Sequence, residues 1–306
     1  MKKLLILILS CTFITGMLAA CGSSSASGDD DKEVTIGSKN YTEQFLLSKI
    51  TALYLEDNGF KVKEKSNLGS SALRKALLNK QVDFTWDYTG TGLVNYLKKE
   101  PISDPQKSFE TVKKIDKKKN DINWINMSGV NNTYAIAMQQ KKADELGIES
   151  LSDLAEYINK NPNKIQLATD TETANRSDGI KGLEKSYEFE FGSENMKLMK
   201  DGLQYGAIEK GEVNAVKVNT TDPQIKDQNL VVLKDDKSFF PSYRAAVSIH
   251  QDVLDKYPKL KDLTADLANK LDAEIIVKLS YQVDIKGKQV KNVAKKWLKD
   301  NDMLGD

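Results

Sequence analysis

The feature that most constrains the fold is a repeated switch between two hydrophobic periods. Glu33-Val34-Thr35-Ile36-Gly37 alternates as a strand, and Ser38-Lys39-Asn40-Tyr41 is a polar loop. Phe45, Leu46, Ile50, Leu53 and Leu55 then recur at helical spacing from Thr42 onward. Asn58-Gly59 stops that helix, Phe60-Lys61-Val62 opens a strand, Ser70 to Leu78 reads as a helix, and a further strand ends at Trp86. The pattern returns through strands at Ile122 to Ile125, Tyr134 to Met138, Lys164 to Ala168, Val213 to Val218 and Leu230 to Leu233, with a helix from Leu151 to Ile158 capped by Ser150 or Ser152. The segment after Arg244 is chiefly helical as far as Leu304. Strands alternating with helices predict an α/β fold with a mostly parallel sheet, in which ligand-capable loops gather at strand ends.

The amino terminus sets the compartment. Met1-Lys2-Lys3 is basic, Leu4 to Met17 is mostly apolar, and Leu18-Ala19-Ala20-Cys21 closes the run with small residues before a cysteine. This is an export leader over residues 1–20, too short and wrongly flanked to span a membrane. Leu18-Ala19-Ala20-Cys21 resembles a bacterial lipoprotein box, which makes Cys21 the lipidated first residue of the mature chain. Residues 21–31 form a Gly/Ser/Asp tether of the kind an anchored domain needs. The other cysteine, Cys11, leaves with the leader, so no internal disulfide is expected and the core alone holds the fold. About 275 residues follow the tether, a length that suits two lobes better than one. Losing Lys2 and Lys3 leaves 43 basic against 44 acidic residues, a balance that gives no footprint for nucleic acid.

As catalytic equipment the sequence is poor. His250 is the only histidine, there is no His/Cys cluster for a metal, no Gly-x-Ser-x-Gly elbow and no phosphate loop, so the chain is read as a non-enzyme without cofactor or metal. As binding equipment it is better stocked. Thr85-Trp86-Asp87-Tyr88-Thr89-Gly90-Thr91-Gly92 sits at a strand-to-helix junction, where glycines let a backbone approach a ligand and aromatics hold a cation. Tyr88, Tyr134 and Tyr243 each lie at or near an end of a buried strand, and Lys39, Arg176 and Arg244 lie in loops. Any one of these tyrosines is by itself an ordinary core residue. The set is what carries a site.

Several motifs occur in a fixed order along the chain: the lipobox, Ile36-Gly37-Ser38-Lys39-Asn40-Tyr41-Thr42-Glu43-Gln44, Asp87-Tyr88-Thr89-Gly90-Thr91, Asn131-Asn132-Thr133-Tyr134, Arg176-Ser177-Asp178-Gly179, Thr220-Thr221-Asp222 and Phe239-Phe240-Pro241-Ser242-Tyr243. Together they resemble the substrate-binding lipoproteins of osmoprotectant ABC importers, which take up glycine betaine, carnitine and choline. The resemblance spans nearly all of the mature chain. It implies a bilobed periplasmic-binding-protein fold of type II, two α/β lobes joined by two hinge crossings. One lobe is expected from residues 32–131 plus 238–306 and the other from 132–237, with crossings near Asn131–Thr133 and Asp236–Phe240.

The resemblance also implies roles. Tyr88, Tyr134 and Tyr243 fall on tyrosines of a cage for trimethylammonium, and Asn132 on a position whose carbonyl lines that cage. Lys39, Thr91 and Arg176 fall on a carboxylate clamp, which tilts the expectation towards a zwitterion over choline. Asn219 stands where the family usually has a fourth cage tyrosine. This departure removes one cation–π wall and adds a polar donor and acceptor. The expected ligand is therefore carnitine or a larger betaine such as ergothioneine, delivered to a permease and its ATPase by a receptor lipid-anchored at the cell membrane and facing outward. A receptor for another small zwitterion such as an amino acid, or for choline, stays open as an alternative. Arg244 is expected to face solvent.

Overall fold

The computed structural model describes residues 32–305; the leader, Cys21 and the tether lie outside the described residues. Ten strands form two five-stranded sheets. The strands are β1 (Glu33–Lys39), β2 (Lys61–Leu68), β3 (Phe84–Tyr88), β4 (Ile122–Ile125), β5 (Tyr134–Gln139), β6 (Leu167–Thr169), β7 (Met196–Leu198), β8 (Ala215–Asn219), β9 (Leu230–Val232) and β10 (Ala245–His250). The first sheet has the order β2-β1-β3-β10-β4 and the second β7-β6-β8-β5-β9. Each sheet is the core of one α/β lobe.

Both sheets repeat one directional plan. β1 pairs in parallel with β2 and β3, whereas β10 runs antiparallel to β3 and β4. Likewise β6 pairs in parallel with β7 and β8, whereas β5 runs antiparallel to β8 and β9. The reversed strand in each sheet is the one the chain enters directly after crossing from the other sheet. Its starting residues therefore lie beside the finishing residues of a parallel neighbour. Tyr134 opposes Asn219 in register, and Ala245 opposes Tyr88.

The crossings run side by side. Asn131 and Arg244 form an antiparallel bridge, the amide of Asn132 donates to the Tyr243 carbonyl at 3.1 Å, and the amide of Tyr243 donates to Asn131 Oδ1 at 2.9 Å. Phe239 and Phe240 stack edge to face and pack with the core of the second sheet.

Helices cover the sheets as the periodicity demands. Helix Thr42–Asp57 buries Leu46, Leu47, Ile50 and Leu55 against the first sheet and against the carboxy-terminal helices that carry Leu260, Leu267, Trp297 and Leu298. Helix Leu151–Lys160 starts at a capping box in which Ser150 accepts from the Asp153 amide and Asp153 accepts from the Ser150 amide. The lysine-rich helix Pro105–Asn120 is more than a solvated face: Phe109 and Val112 enter the core, and buried Asp116 accepts from Arg74 and from Trp124 Nε1. His250 is also structural, its Nε2 lying 2.5 Å from the Leu77 carbonyl oxygen. Among the described residues no helix is long and apolar enough to cross a membrane.

Candidate functional site

The strand ends of both sheets converge on a cavity of about 450 Å³, a size within the range of small-ligand sites. Lys39 leaves β1, Tyr88 ends β3, and Thr91 stands in the following π-helical turn Thr91–Tyr96. Tyr134 begins β5 and Asn219 ends β8, with Asn132 and Tyr243 entering from the crossings. All seven line the cavity. Alternation along β3 explains the selection there. Phe84, Trp86 and Tyr88 share the face that packs on helix Thr42–Asp57, and only the last is far enough along the strand to reach the cleft. Trp86 is core, its Nε1 donating to Thr51 Oγ1 at 2.8 Å.

The aromatic rings are held by acidic groups behind them. The Tyr88 hydroxyl donates to Glu43 and accepts from Gln44 Nε2 at 2.9 Å. The Tyr243 hydroxyl donates to Asp178 at 2.6 Å, and the Tyr134 and Tyr243 ring centroids lie 5.0 Å apart at 44°. Burial pushes all three phenols above the ordinary tyrosine range, so each is an unionised wall. Burial also raises the Glu43 carboxyl, only partly opposed by the hydrogen bond from Tyr88 and by the neighbouring Thr221 and Asn132 side chains.

Each basic group at the site already has a carboxylate. Lys39 Nζ is 2.8 Å from Asp87 Oδ1 and 4.7 Å from the centroid of the Tyr88 ring. Asp87 in turn accepts from the Tyr96 hydroxyl at 2.8 Å. Arg176 is the one expected site residue that the structure does not place on this cavity. Its Nε and Nη2 grip Asp178 at 2.7 and 2.5 Å, its Nη1 reaches Glu172 at 3.1 Å, and its guanidinium stands 5.6 Å from the Tyr134 centroid. A fork already satisfied on two sides acts as a buttress for Tyr134 and, through Asp178, for Tyr243.

Two further expectations need correction. Gly90 and Gly92 serve protein packing and do not bring the backbone close to a ligand. A Cβ on Gly90 would lie 2.9 Å from the Ser242 carbonyl oxygen and the Tyr243 ring, and one on Gly92 would lie 2.7 Å from Trp124. Arg244 is half-buried at the crossing, with its Nε out of solvent contact, because its backbone is tied to Asn131.

The cavity also contains residues that the sequence reading left unassigned. Tyr41 lines it, within hydrogen-bond reach of Tyr88, and supplies an aromatic side chain beyond the three expected. Lys217 is buried in the middle of β8, with Asp201 at 3.0 Å, Asp170 at 3.3 Å and the Tyr134 centroid at 5.1 Å. Burial alone would depress the Lys217 ammonium, but Asp201 and Asp170 outweigh it and hold the pKa above the ordinary lysine range. The available signal was a lysine inside a strand whose neighbours Val216 and Val218 are fully buried, two residues before Asn219 and so on the same face. Among the described residues no group of three His, Cys, Asp or Glu side chains is arranged to hold a metal ion.

Two α/β lobes closing on an aromatic, charge-lined cavity define a ligand-trapping receptor. The chain belongs to the family described as the substrate binding domain of ABC-type glycine betaine transport systems, whose model matches residues 32–300. It is 34% identical over 299 residues to a glycine-betaine-binding protein of Pseudomonas aeruginosa, covering 96% of each chain. It is 35% identical over 271 residues to an ergothioneine transport permease/ergothioneine binding protein of Helicobacter pylori, covering 88% of this chain and 48% of that protein. The crystal structure of a glycine betaine/carnitine/choline ABC transporter superposes with a TM-score of 0.71 at 32% identity, over 88% of this chain and 99% of that one. The bilobed fold and the importer family expected from the sequence are both found.

Proposed function

We propose that this protein is the receptor of an ABC importer for a quaternary-ammonium zwitterion larger than glycine betaine, such as carnitine or ergothioneine. The observation that carries the reading is the convergence of Tyr88, Tyr134, Tyr243 and Tyr41 on one cavity that also presents Lys39, Thr91 and Asn219. Unionised tyrosine faces attract a desolvated onium group, and the polar groups of the same cavity orient an anion. The Pseudomonas and Helicobacter relatives are named for glycine betaine and ergothioneine, both trimethylammonium zwitterions.

Lys39 and Thr91 are the carboxylate-binding pair in this reading, with the Asn132 carbonyl and Asn219 at the cage wall. Arg176 acts from behind Tyr134. Residues 32–131 with 238–306 form one lobe and 132–237 the other, a division supported by the paired crossings at Asn131 and Arg244. Ligand held between the lobes favours the closed population, because it contacts both walls only when they meet. The receptor hands its ligand to a permease and ATPase, and a lipid on Cys21 keeps it at the outer face of the membrane.

Calorimetric titration of the mature chain with carnitine, ergothioneine, glycine betaine, choline and a set of amino acids tests this. Micromolar or tighter binding of a carboxylated quaternary ammonium compound is expected, with choline much weaker. Binding of amino acids alone, or tight binding of choline, would refute it.

A further inference from the structure

β8 is the middle strand of the second sheet, flanked by β6 and β5, and Lys217 is 3% exposed at its centre. A buried ammonium carries a large desolvation cost, and a well-packed apolar residue is as good or better for stability alone. Lys217 therefore needs a reason other than the core. Its head group emerges only into the cavity, beside Asn219 Oδ1 at 3.4 Å.

Its two carboxylate partners come from the turns that follow β6, its parallel neighbour, and β7, the next strand beyond it. Asp170 follows β6 and Asp201 follows β7, and their side chains retain 18% and 20% exposure into the cleft. Asp170 also caps helix Thr171–Asn175, accepting from the Thr173 amide at 2.9 Å and its hydroxyl at 2.6 Å, so it has a structural duty. Among the described residues, the only side-chain hydrogen bond of Asp201 is the one to Lys217. Around Lys217 the wall thus presents one ammonium between two carboxylates, a local excess of acceptor over donor charge, with Glu172 and Lys200 also on the lining. Glycine betaine has no hydrogen-bond donor with which to use that excess.

Resting on the reading of the cavity as a quaternary-ammonium site, we infer that Asp201 and Lys217 are specificity-determining residues. Asp201 accepts a hydroxyl or azole N–H of the ligand, Lys217 holds Asp201 in place and donates to an acceptor beside that group, and ligands bearing both are selected over glycine betaine. The selection follows because a site that holds a charged acceptor in place gains a hydrogen bond only from a ligand that can supply the donor.

The test is titration of the mature chain and of Asp201→Asn and Lys217→Met with ergothioneine, carnitine and glycine betaine. The wild type should prefer ergothioneine or carnitine to glycine betaine. Asp201→Asn should weaken the preferred ligand about 10-fold or more while changing glycine betaine less than about 3-fold, since a hydrogen bond to a charged acceptor is lost only by the donor-bearing compound. Lys217→Met should erode the same ratio. Asp201 lies on a cleft turn, so its variant is informative even where Lys217→Met fails to fold. An unchanged ratio in Asp201→Asn, or an equal loss for every ligand, would overturn the inference while leaving the receptor reading intact. A wild type that binds no quaternary ammonium compound would instead overturn both.

Discussion

The two walls of the cleft are built on the same strand plan but balanced differently. In the first lobe, Tyr88 ends a parallel strand next to the reversed strand preceded by Tyr243, and the local cation Lys39 is matched by one carboxylate, Asp87. In the second lobe, Tyr134 begins the reversed strand opposite Asn219, and the local cation Lys217 is matched by two, Asp170 and Asp201. The first wall is aromatic and charge-neutral. The second has one ring with an asparagine in place of its partner, and a surplus of acceptors. In the proposed reading, the neutral wall serves any onium ligand and the acceptor-rich wall tells one ligand from another.

The variant expected to disturb this contrast most is Arg176→Ala. Asp178 would be left buried and unpaired beneath Tyr243, which should lower folding stability by about 3–5 kcal/mol in urea titrations. Binding of every ligand should fall with it, through the loosened rings of Tyr134 and Tyr243. Normal stability with a loss confined to carboxylated ligands would restore Arg176 to the clamp suggested by resemblance.

Next come the rings themselves. Tyr88→Ala, Tyr134→Ala and Tyr243→Ala should each weaken binding by about 1–3 kcal/mol. Phenylalanine sharpens the comparison between walls. Tyr88→Phe strips buried Glu43 of a donor and should cost about 1–3 kcal/mol of stability. Tyr134→Phe keeps its ring face and should cost less. Equal costs would show that the hydroxyl anchoring of the first wall is unimportant.

The smallest effect concerns pH. Burial, reinforced by Asp201, pushes the Asp222 carboxyl up to about 7, against the pull of Tyr205, Lys217 and the Asn219 amide. A carboxyl whose folded pKa exceeds its unfolded value keeps its proton longer in the native state. Its ionisation therefore removes stability as pH rises from about 4 to about 7, and the loss is complete above that window. Wild type should show this downward slope in chemical denaturation series, and Asp222→Asn should flatten it. A slope that survives the substitution would assign it to Glu43, Asp83, Glu184 or Asp284, whose carboxyls burial also raises.

Much of this protein was legible without coordinates. Hydrophobic period decides local structure, so helix Ser70–Leu78 and strand Ile122–Ile125 lie where their patterns put them. The ordered motifs identified the importer family, and Tyr88, Tyr134, Tyr243, Lys39, Thr91, Asn132 and Asn219 do share one cavity. Tertiary structure alone decided which charges are spent on neighbours. Arg176 and Asp178 are two residues apart, yet nothing in that spacing says that the fork closes on Asp178 and Glu172 behind Tyr134. Nor could the text of the chain bring Asp170, Asp201 and Lys217 together, since they arrive from three different strands. The reason is physical: periodicity is a property of neighbours along the chain, whereas the pairing of buried charges depends on distances that exist only once the strands are side by side.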